Sequence, residues 1–173
     1  MTPEEINNLL DENQIGSYLS FGIENMKVLC ELAKELPEKP SILEIGTLEG
    51  RSACAWALAT GGRVYTVDKK DRGQVYANIK KLNLEDRVHY IVSSSQDFDI
   101  EQRFDLIFID GGHSYENAMH DIKKFTPFAR HIVCGHDYNE QFLDVKRAVD
   151  DFFGELVENN NTIWVLKKQK VLK

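Results

Sequence analysis

The sequence predicts an α/β protein: a doubly wound, mostly parallel sheet with helices on both faces, N-terminal helices and a C-terminal antiparallel hairpin. Three observations carry that prediction. From Ser41 onward, short apolar runs alternate with segments of helical period. The run Phe104-Asp-Leu-Ile-Phe-Ile109 is almost wholly apolar, as a strand covered on both faces must be. Polar residues follow each run, at the edge where open α/β sheets bind ligands.

The elements follow in order. Thr2-Pro3-Glu4-Glu5 opens a helix, with Thr2 as cap, Pro3 in the first turn and Glu5 reaching back. This helix is expected to reach about Leu10, and residues 11–20, with few periodic apolar positions, a loop. Ile23, Met26, Leu29, Leu32, Ala33 and Leu36 recur at helical spacing, and Pro37 and Pro40 end that helix. Residues 1–40 are therefore a helical region ahead of an α/β core at 41–173, all within one domain. In the core, strands are expected at 41–45, 63–68, 88–92, 104–109 and 131–134. Helices are expected at 51–59, 74–82, from the cap Ser114 to about 125, and at 142–153. Residues 155–158 and 162–166, joined by Asn159-Asn-Asn161, read as the closing hairpin.

Composition narrows the function. With a net charge of -7 and no basic cluster, the surface repels phosphate backbones, so nucleic acid is not the expected partner. No apolar run is long enough to span a bilayer, and the start lacks signal-peptide character. Cys30, Cys54 and Cys134 have neither metal-ligand nor disulfide spacing, which fits reduced core thiols and a cytoplasmic location.

The chain is organised around Ser41-Ile-Leu-Glu-Ile-Gly-Thr-Leu-Glu-Gly-Arg-Ser52. A strand that turns sharply into a helix leaves unpaired N–H groups at the turn, and the helix dipole makes them a seat for a negative group. Gly46 is expected to allow the tight turn and close approach of a ligand, and Gly50 to let the helix sit close on the sheet. Asp68 ends the second strand about 20 residues later, where a carboxylate can grip ribose hydroxyls. Ser93-Ser-Ser-Gln-Asp97 follows the third strand, Asp110-Gly-Gly-His113 the fourth and Gly135-His-Asp-Tyr138 the fifth. A dinucleotide-binding dehydrogenase would need glycines at G-x-G-x-x-G spacing, but position 48 is Leu.

Glu44-x-Gly46-Thr47-x-x-Gly50-x-Ser52 resembles the first motif of class I S-adenosylmethionine (SAM) dependent methyltransferases, whose fold is Rossmann-like. The set is most similar to small-molecule O-methyltransferases of the catechol and caffeoyl-CoA type. Asp110-Gly-Gly-His113-x-Tyr115 with His136-Asp137-Tyr138 is similar to a bacterial branch acting on sugars and macrolides. The resemblance runs from Ser41 to the C-terminus. It implies that Gly46, Gly50, Ser52 and the N–H groups around Thr47 hold the methionine part of SAM, with Glu44 supporting its amino end. Asp68 would bind the ribose, Ser95 and Gln96 the adenine, and Asp110 the reacting end. The same resemblance implies a divalent cation, magnesium or manganese, at Asp110, His136 and Asp137. A histidine in that set would also tolerate iron or zinc. His113 stands where the catechol-type enzymes carry a basic residue, and it could be the general base or a metal ligand.

Plainer readings stand beside these. Asp110 could cap the helix at Ser114, His113 could bond a loop carbonyl, and His136 with Asp137 could be a structural pair. His89, His120, His131, Trp56 and Trp164 read as structural, Tyr18 and Phe21 as core residues or acceptor-pocket lining, and Lys167-Lys-Gln-Lys170 as a solvated strand end. The function expected is methyl transfer from SAM to a hydroxyl of a small molecule with metal assistance. The alternative is a catalytically silent SAM-binding module acting through a protein partner. With no large insertion to form a lid, the pocket is either open or covered by a second copy in a homodimer.

Overall fold

A computed structural model describes residues 1–16 and 21–168. Tyr18 and the end of the lysine run, Gln169 and Lys170, lie outside the described residues. Two helices, α1 (Pro3–Glu12) and α2 (Ile23–Lys34), precede the sheet. The strands are β1 (Ser41–Ile45), β2 (Arg63–Asp68), β3 (Val88–Val92), β4 (Phe104–Ile109), β5 (Ala129–Gly135), β6 (Glu158–Asn160) and β7 (Ile163–Lys167). Between them lie α3 (Arg51–Thr60), α4 (Gly73–Lys81), α5 (Tyr115–Phe125) and α6 (Leu143–Phe153).

The seven strands form one sheet in the order β3-β2-β1-β4-β5-β7-β6. β1 through β5 pair in parallel, and β7 runs antiparallel to both β5 and β6. The strand order reverses between β1 and β4, so their carboxyl ends open a crevice. Alternation along each strand divides the core. Ile42, Leu106, Phe108 and Ile132 face a cluster with Met26, Leu29, Trp56 and Val75. Leu43, Ile45, Ile107 and Val133 face Ile122, Phe125, Val145 and Val149. Both faces of the central strands are thus covered, which is why β4 is apolar but for Asp105, whose carboxylate accepts the Ser41 N–H.

The expected caps are present. Thr2 and Glu5 form the reciprocal capping box, and Ser114 accepts the Asn117 N–H at the start of α5. Asp110 therefore does not cap that helix.

Several boundaries differ from expectation. α1 runs on to Glu12, and Ile15, expected in a polar loop, is fully buried. The hairpin is shifted toward the C-terminus. Asn159 and Asn160 pair with Trp164 and Ile163, and only Asn161 and Thr162 turn the chain. Asn161 takes a left-handed φ of 61°, which asparagine tolerates and a two-residue hairpin turn demands. The lysine run is not merely solvated. Lys167 lies 2.8 Å from Glu35, and Lys168 donates to the carbonyls of Thr126 and Ala129.

The buried Arg51, at the start of α3, ties the N-terminal region to the core. Its Nε donates to the Phe21 carbonyl (2.9 Å), one terminal nitrogen to the Ile15 carbonyl (2.8 Å), and the other to Asn7 Oδ1 (2.9 Å) and Asp11 (2.8 Å).

Candidate functional site

The crevice between β1 and β4 opens into a cavity of about 700 Å³. Its wall is built from strand tips and the loops that follow them. The β1–α3 turn is shaped by two glycines. Gly46 has φ +99°, and a Cβ there would stand 1.8 Å from the Asp110 carbonyl oxygen. Its requirement is thus the neighbouring β4 loop as well as the turn. Gly50, at φ +81°, starts α3 from a left-handed position. A Cβ there would meet only Val75 at 3.4 Å, so backbone conformation, not close helix–sheet packing, is what requires glycine. Between them Leu48 holds φ +49°, half exposed, in a conformation a leucine adopts at a cost of about 1 kcal/mol or more. No side chain caps α3, so its first N–H groups have no such partner.

Beneath the turn runs a buried polar chain. Thr47 Oγ1 lies 2.6 Å from Thr66 Oγ1, and Thr66 Oγ1 donates to Glu44 Oε2 at 2.5 Å. The Thr47 hydroxyl is therefore committed inward. Glu44 is completely buried and is not on the cavity wall, and its Oε1 has no hydrogen-bond partner among the described residues. Burial pushes its carboxyl up to about 8, against the hydroxyls of Ser52 and Thr66. Ser52 does line the cavity.

Asp68 stands on the wall at the tip of β2. Its Oδ2 accepts the Leu48 N–H and its Oδ1 the Lys70 N–H, each at 3.0 Å. It thereby joins the β1–α3 turn to the β2 loop. Ser95 and Gln96 line the same wall beyond β3, held by Lys124 Nζ, which donates to both of their carbonyls at 2.8 Å.

On the other side of the crevice, Asp110, His113, His136 and Asp137 come together. His113 Nε2 lies 2.9 Å from Asp137 Oδ2. His136 Nδ1 lies 3.1 Å from Asp137 Oδ1 and 3.7 Å from Asp110 Oδ1. Asp137 takes φ +62°, a conformation that aspartate tolerates better than most residues and that often marks functional positions. Burial alone would raise its carboxyl, but hydrogen bonds from His113 and His136 hold it below the usual carboxylate range. Burial opposes charge on His136, yet hydrogen bonds to Asp110 and Asp137 prevail and raise the ring to about 9. The Asp137 hydrogen bond likewise raises His113, against burial.

His136 links the two carboxylates to α2 and to the turn between β6 and β7. Its Nε2 lies 2.8 Å from the Asn25 amide nitrogen, whose N–H faces it because Asn25 Oδ1 accepts from Asn161 and Thr162, and 3.0 Å from Thr162 Oγ1; both ring nitrogens are engaged, and the Asn25 N–H opposes the second ring proton that Asp110 and Asp137 favour. The donor atoms of Asp110, His113 and Asp137 all lie within 4.8 Å of one another, so His113 joins the two carboxylates of the expected set.

Sequence reasoning missed Asn25 and Thr162, which lie 111 and 26 residues from His136 and carry no motif. It also missed Arg51 and Asp121 on the cavity wall. Phe21 packs edge-on against Phe108, the core role considered for it, and also lines the cavity. The cysteines are buried free thiols, with Cys54 pushed up to about 12 by burial, so none is poised as a nucleophile.

A family model described as a methyltransferase domain matches residues 43–138, more than half of the chain. The chain belongs to that family. It is a methyltransferase of the SAM-dependent class that the motifs implied. No curated protein matches the methyltransferase in sequence. Among solved structures it resembles an O-methyltransferase from Bacillus cereus in complex with S-adenosylhomocysteine (SAH), with a TM-score of 0.67 at 21% identity over 96% of this chain and 90% of that one. An SAH-bound methyltransferase from Podospora anserina gives 0.65 at 17% identity over 96% and 88%. An rRNA methylase from Streptococcus thermophilus gives 0.65 at 15% identity over 83% and 95%. At these identities the likeness is one of fold. Among the described residues, no helix is long and apolar enough to cross a membrane.

Proposed function

We propose that this methyltransferase moves the methyl group of SAM to an oxygen of a small hydroxylated molecule, a sugar or a phenol-like compound, with a divalent cation at Asp110, His113 and Asp137. The observation that carries this reading is one continuous cavity. Asp68, Ser95 and Gln96 line one side of the strand-order reversal, and Asp110, His113 and Asp137 line the other. A donor for the reaction and its acceptor can therefore meet across the crevice.

The residues fit SAM chemically. Asp68 offers lone pairs to ribose hydroxyls, and Ser95 and Gln96 stand farther out along the sheet, where the base would lie. The first turn of α3, with Ser52, offers N–H and hydroxyl groups to an amino-acid carboxylate. Glu44, below that turn with an unpaired oxygen, supports the amino end from behind and does not line the pocket. Bound SAM supplies an electrophilic methyl carbon. The protein's task is to orient the acceptor hydroxyl in line with that carbon and to remove its proton. A cation held by two carboxylates and an imidazole would lower the hydroxyl's pKa. That mixed oxygen and nitrogen set suits manganese, iron or zinc as well as magnesium.

A metal-free reading is favoured by one distance. His113 Nε2, 2.9 Å from Asp137, is oriented as in a carboxylate-backed general base, which leaves Nδ1 to take the proton. The silent-module alternative has no observation in its favour. The net charge of -7 supports a small acceptor over nucleic acid. A second copy of the chain as a cover for the pocket, and a cytoplasmic location, remain part of the proposal.

The test is transfer of labelled methyl from SAM to a panel of phenols, sugars and RNA, with and without EDTA. Loss of transfer in EDTA, restored by manganese or magnesium, is the expected result. Activity indifferent to EDTA but abolished in His113→Gln would establish the base alone. Transfer to RNA and not to the hydroxylated compounds would overturn the acceptor class.

A further inference from the structure

Asp121 lies in the middle of α5, on the cavity wall, and is only 2% exposed. Its Oδ1 has no hydrogen-bond partner among the described residues. An unpaired carboxylate oxygen in a protein interior is costly, by about 1–3 kcal/mol or more. Burial raises its carboxyl above the ordinary value, with Ser95 opposing. Its place along the cavity is well defined. Lys124, one helical turn later, grips the Ser95 and Gln96 carbonyls, so this face of α5 backs the loop after β3. On its other side, a Cβ on Gly111 would stand 2.8 Å from Asp121 Oδ2, so the bare backbone at Gly111 makes room for the carboxyl.

We propose that Asp121 is a cofactor-binding residue that accepts a hydrogen bond from the exocyclic amino group of the adenine. The inference rests on the SAM reading and deepens it. The loop after β3 follows the edge strand of the sheet, and Asp121 stands between that loop and Gly111, so a base held at Ser95 and Gln96 reaches Asp121. Of the polar groups on an adenine, only the 6-amino group donates. A buried oxygen with a vacant lone pair is the complement of that donor, whereas an oxygen at the same place on the ligand would face it unfavourably. Asp121 thus sets the preference for a 6-amino over a 6-oxo purine, while Asp68 is indifferent to the base.

The test compares binding of SAH with S-inosylhomocysteine, its 6-oxo analogue, to the full-length protein by isothermal titration. The wild type is expected to prefer SAH by about tenfold to a hundredfold, the range of one hydrogen bond to a charged group. Asp121→Asn can turn an N–H toward the ligand. It is expected to shrink that ratio about tenfold or more, with its melting temperature recorded alongside. Equal binding of the two ligands by the wild type overturns the proposal whatever the variant does, and so does an unchanged ratio in a folded Asp121→Asn. If the wild type binds neither ligand, the SAM reading itself fails, an outcome distinct from equal binding of both.

Discussion

Glu44 has the most unusual environment of any single residue: a carboxyl sealed under the β1–α3 turn and raised to about 8. Its ordinary value is 4.5, so between about pH 4.5 and 8 the unfolded chain has released a proton that the folded chain retains. Stability must then fall as pH rises through that window, with a slope of about 1.4 kcal/mol per pH unit from this one group. Urea unfolding across the window should show the slope, and Glu44→Gln should flatten its lower part, below about pH 6.5, where His136 does not yet contribute. At His113, replacement by Gln should lower turnover by about 10²- to 10⁴-fold while SAH affinity stays near wild type, which steady-state kinetics and titration together will read. Leu48 offers a test of strain. Leu48→Gly relieves a left-handed leucine and should raise stability by up to about 1 kcal/mol, measured as a shift of the urea midpoint. That three acidic and imidazole groups would meet at the tips of β4 and β5 was legible from sequence, because strand ends place them there. The partners of the His136 ring were not, because Asn25 and Thr162 are brought beside it by folding.

At the scale of elements, local chemistry was read well where it is self-contained. The Thr2–Glu5 capping box and the Ser114 cap need only residues three apart, and both formed as expected. The hairpin was read with its turn too long, since asparagines favour turns and nothing local says that Asn159 and Asn160 pair across to Trp164 and Ile163. The attachment of α1 was invisible for a similar reason. Arg51 reads as the first residue of a helix, and its four partners lie 30 to 44 residues earlier in the chain. Arg51→Met leaves two buried carbonyls unpaired and frees the α1 end. It should cost about 3 kcal/mol and speed amide exchange in α1 and around Ile15, with the central strands still protected. Gly46→Ala should be worse, since a methyl group 1.8 Å from the Asp110 carbonyl forces the β1 and β4 tips apart. A loss above about 3 kcal/mol together with loss of SAH binding is expected.

For the whole molecule, the alternation of runs and helices was enough to predict a parallel sheet with a crevice at its carboxyl edge. The strand order, and thus the placing of that crevice between β1 and β4, emerged only with the pairing. The topology explains why residues from Ile45 to Thr162 build one site: each crossover returns the chain to the same edge. It also divides the cavity wall into two halves, the proposed nucleoside side with Asp68 and the proposed reacting side with Asp137. The first half is the foundation of the second. Its most direct test is isothermal titration of SAH into the wild type and Asp68→Ala. The account predicts saturable one-to-one binding by the wild type, weakened about tenfold to a hundredfold in Asp68→Ala, as befits loss of a charged partner for the ribose. Wild-type protein that takes up no SAH, or an Asp68→Ala variant that binds it as tightly, would contradict it.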